Sequence, residues 1–129
     1  MTPEWLNDTV RAFGRQLGLG SFALNERGSA GVRFENGISL MLEHAAESLF
    51  VSVRVPVEPS GENLKALLSD AHPSARTGLP GQVRAAYSAK SGEAMYVVRL
   101  GERETSVPAL EGAFRVLWAL ASRLGRAAA

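Results

Sequence analysis

Leu6, Val10, Phe13 and Leu17 recur at helical spacing near the start of the chain, with Trp5 and Ala12 beside the stripe, so a first helix with one apolar face is predicted. Thr2 is placed to cap it, Pro3 suits its first position, and Glu4 complements its positive end. Gly14 costs this helix about 1 kcal/mol relative to alanine; either another backbone approaches closely there or the glycine is simply tolerated. Gly18 and Gly20 end the helix, after which Phe22 and Leu24 alternate with smaller or polar neighbours as a half-buried strand does. Arg27-Gly28 reads as a turn. Val32 and Phe34 form the next alternating pair, and Asn36-Gly37 is the strongest local hairpin signal. Ile38, Leu40 and Leu42 follow, and Leu49, Val51, Val53 and Val55 make a fourth strand ending at Pro56. The pattern to this point is an antiparallel meander.

Pro59 and Gly61 break the alternation, and Leu64, Leu67, Leu68 and Ala71 then take helical spacing, with Ser60 as the cap and Pro73 as the stop. The loop "ARTGLPG" leads to "QVRAAYSA" and "AMYVVRL", two strands joined by "KSGE". A last helix starts near Ser106 and Pro108 and carries Leu110, Phe114, Leu117, Ala121 and Leu124 on one stripe. Val116, Trp118 and Leu120 lie off that stripe, so this helix is either wedged between layers or meets a partner. The predicted class is α+β: three helices on a twisted antiparallel sheet in the order α-β-β-β-β-α-β-β-α. Residues 1–125 form a single domain and 126–129 a frayed tail.

Composition narrows the partners. A length of 129 residues, 46% hydrophobic and 21% charged, fits one folded domain. Fourteen Lys and Arg against 13 Asp and Glu leave a net charge of +1, too little to favour nucleic acid. Arg115, Arg123 and Arg126 read as a solvated face rather than a phosphate track. With no cysteine, disulfides and thiolate metal sites are excluded and a reducing compartment is compatible. The start lacks a secretory pattern, and no apolar run approaches the roughly 20 residues of a membrane span. Cytoplasm is the simplest inference.

Candidate chemistry is sparse, and no catalytic residue, metal site or cofactor is predicted. His44 and His72 read as surface or turn residues, and Glu43-His44 and Asp70-Ala71-His72 do not converge on a metal if each lies on one helix. "GLG" and "TGLPG" lack the lysine and hydroxyl residue of a phosphate loop. Among Glu43, Glu47, Glu58 and Glu62, nothing in the spacing selects a catalytic pair.

Taken in order, "WLNDTVRAFGRQLGL", "FALNERGSAGVRFENGISLMLE", "LFVSVRVP", "LKALLSDAHPSARTGLPGQV" and "FRVLWAL" make the chain resemble the class I type III secretion chaperones, the Tir chaperone or CesT family, from about Trp5 to Leu124. The resemblance implies a small cytoplasmic bacterial homodimer that binds the N-terminal segment of a secreted effector in extended form. It implies no chemistry, no cofactor, and the export machinery as a further partner. Family members are commonly acidic, whereas the sequence pI here is about 8.2. An apolar groove that orders an extended segment suits this role. Phe13, Leu17, Leu19, Phe22, Val32 and Phe34 are the effector-binding candidates, although plain core packing is the commoner role for any one of them. Family members pair near the second helix, so Leu64, Leu67, Leu68, Val83, Tyr87 and Tyr96 are the dimer candidates; they too could simply pack the helix on its own sheet. The alternative is a chaperone-like α+β domain that regulates or scaffolds another cytoplasmic protein, and a small hydrolase or metal protein is a third reading.

Overall fold

A computed structural model describes residues 2–58, 60–70 and 81–128, with the side chains of 68, 70 and 125–128 outside that description. The first helix, α1, spans Glu4–Gln16 and buries Leu6, Val10, Phe13 and Gly14. Pro3 is its N-cap and makes no side-chain cap. Thr2 turns its hydroxyl instead toward His44 Nδ1, at 3.5 Å. At the other end Gly18 has φ +78, the Leu19 N–H reaches the Gly14 carbonyl at 2.8 Å, and the Gly18 N–H reaches that of Arg15 at 3.0 Å. This is a Schellman closure, which turns the chain back along the helix it has just left.

The returning segment is where sequence and structure part. Phe22 and Leu24 are buried, as their alternation required, but they belong to no strand. The run lies against α1, where the side-chain Oδ1 of Asn7 accepts the Leu24 N–H at 3.0 Å in place of a sheet neighbour. Gly14 makes that approach possible: a Cβ there would stand 2.7 Å from Phe22 Cβ. Asn25 then takes the N–H groups of Arg27 and Ser29 on its Oδ1, at 2.9 and 3.0 Å, and launches the sheet.

Five antiparallel strands follow: β1 (Ser29–Arg33), β2 (Ser39–Ala45), β3 (Ser48–Pro56), β4 (Arg84–Ser88) and β5 (Glu93–Gly101), in the order β1-β2-β3-β5-β4. The Asn36-Gly37 signal is a three-residue hairpin loop with Gly37 at φ +87, closed by a 2.9 Å bond from the Phe34 N–H to the Ile38 carbonyl. β2 and β3 are joined by two residues, Ala46 and Glu47, both in left-handed backbone at φ 50 and 60.

α2 (Gly61–Asp70) starts on Ser60, whose Oγ accepts the Asn63 N–H at 3.1 Å. Leu67 is buried, and α2 touches α3 and β4. His72, Pro73 and the "ARTGLPG" loop lie outside the described residues. A 3₁₀ turn, Glu102–Glu104, precedes α3, which spans Val107–Ala128 and is capped by Ser106 Oγ on the Ala109 N–H at 3.2 Å. Helical backbone therefore continues through 126–128, in the stretch read as a tail. Register places Leu40, Val53 and Tyr96 in one row and Leu42, Val51 and Val98 in another, all on one sheet face and all buried with Leu110, Leu117 and Ala121 of α3. The described helices cover this face. No helix among the described residues is long and apolar enough to cross a membrane.

Candidate functional site

Aromatic rings gather where the end of α1 meets α3. The buried ring of Phe13 stands edge-on to Phe22 and Phe114, with centroids 6.4 and 6.2 Å away. Phe114 continues the chain to Phe34 at 6.1 Å and Trp118 at 5.4 Å, and Phe34 meets Trp118 edge-on at 5.1 Å. Tilted and edge-on pairs of this kind add about 0.5–1.5 kcal/mol each beyond the area they bury. The inner rings, Phe13 and Phe22, are 0% and 7% exposed. The outer three, Phe34, Phe114 and Trp118, keep part of their surface in solvent.

Beside the outer rings opens a cavity of about 360 Å³ lined by Gln16, Leu17, Glu111, Phe114, Arg115 and Trp118. Positions 111, 114, 115 and 118 follow i, i+3, i+4, i+7, one face of α3. The apolar wall comes from Leu17, Phe114 and Trp118; Glu111 and Arg115 bring one charge of each sign. Such a groove accepts apolar side chains while the charged pair meets polar groups beside them.

Of the residues the sequence suggested for binding, Leu17 lines the cavity and Phe34 abuts it through Trp118. Leu19 and Val32 are partly exposed on the core's margin. Phe13 and Phe22 are buried core and do not line the cavity; the bare Gly14 lets Phe22 close over α1. Sequence reasoning missed Phe114, Trp118, Glu111 and Arg115 as a site. The available signal was the apolar surface of α3 on more than one side, with Trp118 off the main stripe.

Among the dimer candidates, Leu67, Val83 and Tyr96 are buried within the domain, Tyr87 is half-buried, and Leu64 is 38% exposed. The side chain of Leu68 lies outside the described residues. The polar candidates have structural surroundings: His44 Nε2 is 2.9 Å from Glu102 Oε1, tying β2 to the 3₁₀ turn. Glu43, Glu47, Glu58 and Glu62 are all exposed. No three metal-ligating side chains cluster among the described residues.

The sequence profile of the Tir chaperone protein (CesT) family matches residues 9–125. No curated protein sequence matches the chain. The Yersinia pestis type III secretion chaperone SycH, solved with a stable fragment of YscM2, superposes with a TM-score of 0.72 at 21% identity, over 92% of this chain and 98% of that one. A chain of the ExsC–ExsE complex gives 0.77 at 18% identity, over 96% and 93%. A chain of the heterodimeric ExoU–SpcU complex of the Pseudomonas aeruginosa type III secretion system gives 0.66 at 20%, over 91% and 95%. At these identities the likeness shows a shared fold.

Proposed function

Because the chain belongs to the Tir chaperone protein (CesT) family, we propose that it is a non-enzymatic chaperone of the bacterial cytoplasm. It binds the N-terminal segment of a type III secreted effector in extended form and keeps that segment competent for export. It works as a homodimer and hands its client to the export machinery. Support for a protein client comes from the neighbours, solved as SycH with a YscM2 fragment and as the ExoU–SpcU heterodimer.

The observation that carries this reading is the aromatic groove between α1 and α3. Partly exposed Leu17, Phe114 and Trp118 gain by covering, and an unfolded leader supplies apolar side chains without having to break a fold of its own. The groove is walled mainly by apolar side chains, with a single carboxylate and a single guanidinium, which suits holding a chain.

The test is capture of the co-purifying effector by Trp118→Ala and Leu17→Asp. Central aromatic anchors dominate such interfaces, so capture should weaken about tenfold or more in each variant, with size and melting curve preserved. Undiminished capture by folded variants would remove the groove from the site.

A further inference from the structure

The sheet face turned away from the helices has its own chemistry. Antiparallel register stacks three rows across it: Glu43, Phe50 and Arg99; Met41, Ser52, Val97 and Arg84; and Arg33, Ser39, Arg54, Met95 and Ala86. Four arginines thus share the face with two glutamates, Glu43 and Glu93, although the whole chain is only +1. Met41, Phe50, Met95 and Val97 lie between them, each partly exposed.

Arg54, on the central strand β3, borders a cavity of about 330 Å³ formed with Ala86, Tyr87, Ser88, Ser91, Glu93 and Met95. Its Nε is buried and has no hydrogen-bond partner among the described residues. Buried donors are almost always paired, so Arg54 keeps donor capacity that the described residues do not use, and its guanidinium borders the cavity where an outside acceptor can approach. Glu93, the carboxylate in the cavity, is engaged across the sheet by Arg33 at 3.8 Å. Ser48 Oγ takes the Arg99 Nε–H at 2.8 Å, which sets Arg54 apart.

We infer that this face is a second docking surface, for an acidic segment of the client, with Arg54 receiving a client carboxylate. The inference rests on the reading of this protein as a holder of extended chains and gives one of its contacts a chemistry. A guanidinium matches a carboxylate with two parallel N–H donors, and flexible methionines adapt to whatever apolar side chains flank it. A second copy of this chain is a poor occupant, because a twofold contact through this face would oppose arginine to arginine. Nucleic acid is disfavoured by the apolar residues between the cations and by the small net charge.

The test uses the full chain and two labelled peptides of about ten residues, one alternating glutamate with valine and one alternating glutamine with valine, read by fluorescence anisotropy. The acidic peptide should bind about tenfold tighter than the glutamine peptide, a margin in keeping with a desolvated charge pair. Arg54→Met should abolish that preference, Arg54→Lys should restore part of it, and Arg54→Gln serves as a second neutral variant with a different shape. Trp118→Ala should leave the preference intact, so a failure of the aromatic groove is read separately. The inference is overturned if Arg54→Met and Arg54→Gln keep the preference, if they dissolve the dimer, or if a single-stranded oligonucleotide outcompetes the acidic peptide.

Discussion

Gly14 and Gly112 are both helical glycines, yet the space around them has opposite consequences. Alanine in a helix gains about 1 kcal/mol over glycine, and nothing stands within 4 Å of a Cβ built at Gly112. Gly112→Ala should therefore stabilise the protein by up to about that amount. At Gly14 the same gain meets Phe22 Cβ at 2.7 Å and the Leu19 carbonyl at 3.2 Å. Both belong to the segment fixed by the Schellman closure, so they cannot simply swing aside. Overpacking of this kind costs about 1–3 kcal/mol and exceeds the helical gain, so Gly14→Ala should destabilise. Urea titration of the two single variants checks the signs. If Gly14→Ala is the more stable of the two, the close packing of Phe22 on α1 is wrong.

Single elements hold strain as well as order. The β2–β3 hairpin turns on Ala46 and Glu47, both left-handed, a conformation that costs a non-glycine residue about 1 kcal/mol or more. Asn-Gly suits such a two-residue turn, and the Glu47 carbonyl that accepts the Glu102 N–H at 3.2 Å belongs to the backbone and survives the change. The double variant Ala46→Asn, Glu47→Gly should raise stability by about 1–2 kcal/mol, checked by chemical denaturation. Unchanged or lower stability would mean that the side chains of Ala46 and Glu47 contribute what the turn costs. In α3, one element serves two purposes. Leu110, Leu117 and Ala121 close the core while Phe114 and Trp118 stay partly in solvent, so its second apolar side is both packed against Phe34 and open at the groove.

The molecule as a whole has helices on one sheet face and arginines on the other, which places the aromatic groove and Arg54 on opposite sides. The proposed pairing of two copies would use surface still free, and on α2 that surface includes Leu64, 38% exposed, rather than Leu67, 4% exposed. If two copies pair near α2 as proposed, Leu64→Glu should give a folded monomer in light scattering, since a twofold axis there would bring the two new carboxylates together. A dimer of unchanged size would move the interface away from Leu64.

Much of this was legible in the amino-acid order, because the signals are local. Alternation marked the β hairpins, Asn36-Gly37 their turn, Ser60 and Ser106 the helix starts, and the succession of motifs the family. The sequence could assign residues to a face of a helix or strand; it could not say which faces would be covered. That depends on elements far apart in the chain. Phe22 and Leu24 have the alternation of a strand, but Gly14 and Asn7 offered them a helix to lie on before any strand could pair. Phe13 and Trp118 are equally aromatic, and only the packing of α1 on α3 made one buried core and the other a wall of the groove. Arg54 alternates in β3 like any outward residue, and its orphaned Nε exists only because folding removed it from water without supplying an acceptor.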